Sequence, residues 1–184
     1  MNEKRNSKLL SLAVTAIIAA AYAALTILLA PISYGPIQFR VSEALTVLPF
    51  LMPGTVWGIF VGCILANLYT GSILDIVFGS LATLLAGLCT AWYGKRGNTI
   101  PNRLLGCLMP VLFNAVIVGA VLTWGYQFQE FPDSPLASYG FNALTVGLGE
   151  AAVLYLIGYT LLRQLPKSKA VREFFDRVNN VNDK

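Results

Sequence analysis

Three carboxylates stand where an apolar chain has least use for them: Glu43, Asp75 and Glu150 each lie within or at the edge of a hydrophobic stretch. Ionisable groups in lipid are costly, so they usually face a cavity, a counter-charge or a ligand. Glu150 is the sharpest case. It sits about eleven residues into the last stretch, roughly 16 Å down a helix axis, where no capping role is available. Asn114 lies at a similar depth, about ten residues into the stretch before it. The two can form a core hydrogen bond, or they can be polar walls of a solvated binding cavity, which is the preferred reading. Asp75 follows Ser72, and Ser-x-x-Asp resembles a capping box that would satisfy a helix start without any ligand. Glu43 comes three residues after Arg40, so a helix-start ion pair competes with ligand contact by either residue. Asn67 and Asn142 fall near the outer ends of their stretches and are placed in the same vestibule.

Equally informative is the chemistry the chain lacks. It has no histidine, which removes the commonest neutral-pH acid–base group and metal ligand. Cys63, Cys89 and Cys107 are widely spaced in apolar segments, with no CxxC pair, so neither a metal nor a disulfide framework is indicated. No phosphate loop, no H-E-x-x-H and no G-x-S-x-G is present. The expectation is a non-enzyme without cofactor, and one that does not itself hydrolyse ATP.

The elements that must hold these residues are membrane spans. Of 184 residues, 56% are apolar and 12% charged, about half the charge of a soluble domain. A crossing helix needs about 20 apolar residues. Spans are expected at about 9–30, 41–52, 54–70, 73–93, 104–126 and 139–162, followed by a basic amphipathic tail over 166–184. The first is long and is followed by further spans, so it reads as retained rather than cleaved. Val41 to Tyr69 is too long for one ordinary span and short for two. Pro53-Gly54 divides it. Six spans place both termini and twelve of thirteen Lys and Arg residues on one side, taken as cytoplasmic. Only Arg40 falls outside. The net charge of +4 lies beside apolar spans, which points to lipid headgroups rather than nucleic acid. The fold class is therefore an all-α, six-helix membrane bundle in the cell membrane, and the bacterial plasma membrane fits it.

Small residues recur every fourth position. Gly54, Gly58, Gly62 and Ala66, and likewise Ala143, Gly147 and Ala151, suit packing inside the bundle. Ala16, Ala20 and Ala24 belong to a span that is small on several faces, so this stripe also suits docking to a second protein. The tail places Val171, Phe174, Phe175 and Val178 on one face, as in a helix lying on a membrane surface.

Two stretches, Tyr34-Gly-Pro-Ile-Gln-Phe-Arg-Val-Ser-Glu-Ala-Leu-Thr-Val-Leu-Pro49 and Asn67-Leu-Tyr-Thr-Gly-Ser-Ile-Leu-Asp-Ile-Val-Phe-Gly-Ser80, resemble the queuosine-precursor transporter family, QueT. With the alanine stripe and the span count, the chain is similar to substrate-binding (S) components of energy-coupling factor (ECF) transporters over roughly residues 9 to 165. The resemblance implies substrate capture from outside. It also implies docking on a transmembrane coupling protein through Ala16, Ala20 and Ala24, and two cytoplasmic ATPase subunits as further partners. The ligand pocket of such proteins uses the first external loop and the outer parts of the later spans. By position that matches Tyr34–Arg40, which includes Gln38, together with Asp75, Asn114 and Glu150; Glu43, Asn67 and Phe78 join the candidate set on their chemistry.

The implied ligand is a 7-deazaguanine, either the 7-aminomethyl base or queuine. Its guanine edge offers two adjacent donors that one carboxylate can accept together, and an amide can satisfy the 6-oxo group. The side-chain amine is cationic and calls for a second carboxylate. Glu150 or Asp75 is expected on the edge, with the other near the amine and Asn114 on the oxo group, while aromatic residues such as Tyr34 and Phe78 offer faces to the ring. The readings that compete are an S component for another vitamin or purine-like ligand, a stand-alone secondary transporter, and a scaffold without ligand.

Overall fold

The computed structural model describes residues 2–34 and 39–182. Gln38 of the predicted external loop lies outside them. Among the described residues every regular element is helical. Five helices are long and apolar enough to cross a membrane, over Lys8–Leu28, Pro53–Thr70, Asp75–Lys95, Ile100–Gly125 and Pro135–Lys167.

Helix α1 spans Asn2–Leu28 and is followed by the short α2, Ala30–Ser33. Val41–Val47 is a 3-10 helix that runs into α3, Leu48–Leu51. Met52 is extended, and Pro53–Thr55 makes another 3-10 turn into α4, Val56–Thr70. The break expected at Pro53-Gly54 is therefore real. Thr55 seals it by donating to the Met52 carbonyl at 2.8 Å. Gly71, at φ 68°, ends α4 in the left-handed conformation that glycine adopts freely.

Helix α5 is Ser80–Lys95, entered through a wider π turn at Asp75–Gly79. Helix α6, Ile100–Ala120, begins on a Thr99 cap that accepts from the Asn102 N–H, and it leaves through a π turn at Val121–Gly125. Helix α7, Pro135–Val153, is capped by Ser134. It continues through a third π turn, Leu154–Gly158, into α8, Tyr159–Gln164. Helix α9 covers Lys169–Asn182.

The small-residue stripe of α4 fixes the direction of the first pair. A β-carbon on Gly58 would meet the Thr15 carbonyl at 2.8 Å, and one on Gly62 would meet Ala19 and Tyr22 at 2.8 Å. Later residues of α4 thus meet later residues of α1, so the two helices run parallel. The chain between them must return the whole way. Ser42 and Glu43 touch Thr26 and Tyr22 near one end of α1, and Met52 joins Val14 near the other. Val41–Leu51 makes that return. Seven residues at about 2.0 Å and four at about 1.5 Å give roughly 20 Å, less than a usual crossing. Its irregular backbone is sustainable because Ser42, Glu43, Ala44, Thr46 and Val47 are all buried in protein.

The ends of the bundle differ in charge. Gly94 presses on the Phe50 carbonyl, where a β-carbon would come within 2.0 Å. That brings Lys95 and Arg96 to the end where α9 packs. There Asn179 donates to the Leu51 carbonyl at 2.9 Å. Phe175 and Val178 of α9 are buried with Val14 and Met52, so part of the tail's apolar face is taken by protein rather than left for a membrane surface. Glu130 and Asp133 lie on the connection between α6 and α7, at the opposite end.

Candidate functional site

Four of the singled-out residues meet in the interior. Asn114, from α6, donates from Nδ2 to Oε1 of Glu150 on α7 at 2.8 Å. Glu43, on the returning 3-10 segment, accepts at Oε1 from the hydroxyl of Tyr22 on α1. Glu43 is 0% exposed, Glu150 2%, Asn114 3% and Arg40 5%. The charge of Arg40 acts on Glu43 and Glu150 together, and Asn114 is close enough to interact with Glu43 as well. Four separate segments contribute, so the cluster exists only in the folded bundle.

The hydrogen bonds leave a specific remainder. Oε2 of Glu43 and Oε2 of Glu150 are both buried and have no hydrogen-bond partner. An unpaired buried acceptor costs about 1–3 kcal/mol, and more if charged. Arg40 does not take up either oxygen. Its Nε donates to the Ser33 carbonyl at 3.1 Å and its guanidinium lies 5.2 Å from the centre of the Tyr34 ring. Among the described residues the ion pair within 4.0 Å is Lys169–Glu173 at the surface, so the helix-start pair between Arg40 and Glu43 does not form. The Asn114–Glu150 hydrogen bond does form, and both residues are enclosed rather than open to solvent.

Tyr34 borders this cluster, with its hydroxyl donating to the Ala66 carbonyl at 2.7 Å. Burial pushes that hydroxyl up to about 12, against the opposing pull of Arg40. It is a neutral donor at physiological pH.

Asp75, Asn67 and Phe78 form a second group at the turn from α4 to α5. Ser72 accepts from the Asp75 N–H at 3.3 Å, which is the serine half of the expected capping box. The Asp75 carboxylate does not return to Ser72; its Oδ2 accepts from Tyr126 at 2.5 Å. Asn67 donates to the Asp75 carbonyl at 2.8 Å and so ties α4 to the start of α5. Asn142, expected in a shared vestibule, instead binds Thr123 and the Phe128 carbonyl, both at 2.9 Å. Phe78 borders a cavity of about 570 Å³ with Leu74, Val121, Trp124 and Tyr139. Its walls carry none of the acids, and a polar base placed there would lose hydrogen bonds.

Sequence reading missed Tyr22 and Tyr126. Tyr22 sits in an alanine-rich span and looks like core packing; its place one turn from Thr26 gives no sign that it reaches Glu43. Tyr126 follows the last residue of a π turn, whose wider winding shifts the side chains beyond it relative to an α-helix.

The exposed face of α1 includes Ala16, Ala20 and Ala24, with Ile17 and Leu28 beside them. The opposite face, Ile18, Ala19 and Tyr22, carries the packing on α4.

The sequence model of a family described as QueT transporter matches residues 12–167. A relative from Lactococcus lactis subsp. cremoris (strain MG1363), described as "Queuosine precursor transporter QueT", is 39% identical over 83 residues, or 44% of this chain and 49% of the relative. The chain thus spans about half the length of that curated relative. No solved structure matches it.

Proposed function

The chain is a multi-pass membrane protein that belongs to the QueT transporter family, and from that premise we propose that it is the substrate-binding component of an ECF-type importer for a queuosine precursor. The observation that carries the ligand reading is the pair of buried carboxylate oxygens left without partners on Glu43 and Glu150. Buried polar groups are almost always satisfied, and exceptions call for an explanation. A ligand with donors at both ends explains both at once.

The expected ligand class fits that demand. A 7-aminomethyl-7-deazaguanine carries an N1–H and 2-amino edge at one end and an ammonium at the other. Tyr22 and Asn114 already hold one oxygen of each carboxylate. The arrangement we propose therefore offers one free oxygen per acid, one to each end of the ligand, in place of a bidentate grip by a single acid. Asn114 has a second amide hydrogen for the 6-oxo group. Arg40 supplies one fixed positive charge beside the two acids, and a ligand ammonium would add a second cationic partner for whichever carboxylate is ionised.

In this reading Arg40, Glu43, Asn114 and Glu150 contact the ligand. Tyr34 borders it from the first loop. Asp75, Asn67 and Phe78 shape the outer rim. The exposed Ala16, Ala20 and Ala24 dock on the coupling protein, which joins two ATPase subunits. The parallel course of α1 and α4 and the retention of positive charge inside support a reading with six crossings and the basic end of the bundle in the cytoplasm.

Mass spectrometry of small molecules that survive purification, followed by calorimetry with 7-aminomethyl-7-deazaguanine, tests the ligand. Saturable binding at one site is expected. Uptake into liposomes by this chain alone, without ATPases, would replace the S-component reading with a stand-alone transporter.

A further inference from the structure

Tyr22 is 0% exposed, and its ring emerges where α1 and α4 are pressed together at Gly62. Its backbone carbonyl accepts from Thr26 at 2.9 Å, and Thr26 in turn meets the Ser42 hydroxyl at 2.6 Å, next to Glu43 in the chain. The phenol and the carboxylate it meets are thus held from both sides. The hydroxyl occupies Oε1 of Glu43, and Oε2 of the same group is buried without a partner. Arg40, three residues earlier, is near enough to act on Glu43 yet makes no ion pair with it within 4.0 Å.

We propose that Tyr22 is a positioning residue for the ligand site: it holds Glu43 by one oxygen, keeps that carboxylate from swinging onto Arg40, and so leaves the other oxygen for a ligand donor. The inference rests on the ligand reading given above. Asn114 does the same for Glu150 from a different helix, so each carboxylate has a neutral donor as its anchor. Neutral anchors suit this purpose, because a cationic anchor would cancel the charge that a cationic ligand must meet. Loss of the Tyr22 hydroxyl frees Glu43 to close on Arg40, and the ligand then competes with an internal ion pair.

The test is a double-mutant cycle on the full chain, read by calorimetry with 7-aminomethyl-7-deazaguanine. Tyr22→Phe is expected to weaken binding about tenfold, a change of about 1.4 kcal/mol. In a Glu43→Gln background the same change is expected to matter less than about twofold, because the carboxylate it serves is gone. A purely packing role predicts equal effects in both backgrounds, and that result overturns the proposal. An unchanged affinity in Tyr22→Phe overturns it as well. If the wild-type chain binds no such ligand, the ligand reading falls first and takes this inference with it. Should Tyr22→Phe fail to fold, 3-fluorotyrosine at position 22 preserves the shape. Its fluorine resonance is expected to shift both on ligand addition and on Glu43→Gln, and silence in both experiments contradicts the proposal.

Discussion

Two acidic groups in this molecule invite the same first reading and are built in opposite ways. At the turn from α4 to α5, Asp75 is partly exposed: its N–H is capped by Ser72, Oδ2 of its carboxylate accepts from Tyr126, and Asn67 holds its carbonyl. In the interior, Glu43 and Glu150 are brought together from distant segments, each is anchored by one neutral donor, and each keeps one oxygen unpaired. Each acid has one oxygen held by a hydroxyl or amide donor. The other oxygen of Asp75 belongs to a partly exposed residue that water can reach, whereas those of Glu43 and Glu150 are buried without a partner. The difference lies in burial combined with the hydrogen-bond remainder, and residue type alone would not reveal it.

The largest expected effects lie at the interior acids. Arg40→Met removes the cation facing both carboxylates, and loss of one partner from a buried charge cluster costs about 3–5 kcal/mol. Thermal unfolding in detergent should show a large drop in stability, together with loss of ligand binding. A stable, binding-competent variant would mean that the two acids do not depend on Arg40. Glu43→Gln keeps the shape and removes the charge, and calorimetry should show binding weakened by at least about tenfold, or 1.4 kcal/mol.

Effects at the outer group should be smaller and of another kind. Asp75→Asn is expected to change the ligand dissociation constant less than about threefold, while lowering stability by about 1 kcal/mol through the weaker bond to Tyr126. A tenfold loss of affinity there would move the site outward and undo the contrast. Phe78→Ala should be smallest of all in binding, since its cavity with Trp124 and Tyr139 is almost wholly apolar and includes none of the acids.

The sequence made the long elements legible because apolar length is a strong signal. Five of the expected spans appear as helices with ends shifted by a few residues. Over 41–52 the apolar pattern marks a segment but not its winding, because Pro49 and the shortness of the stretch leave that open; it is 3-10 over Val41–Val47. Depth alone placed Asn114 opposite Glu150, and the structure has them bonded. Nearness in the chain suggests Arg40 as the partner of Glu43, whereas its bonded partner, Tyr22, is twenty-one residues away. Chain proximity finds caps and turns; it does not find the tertiary partner of a buried acid. The tail's apolar face was read correctly as a face, but periodicity cannot say whether protein or lipid covers it. Here Phe175 and Val178 lie on protein.

Reception of a cationic 7-deazaguanine by the unpaired oxygens of Glu43 and Glu150 is read out by calorimetric titration of the wild-type chain and of Glu150→Gln with 7-aminomethyl-7-deazaguanine. One saturable site is expected in the wild type, with the dissociation constant raised at least about tenfold in the variant. Equal affinity in the two proteins would rule that ligand site out.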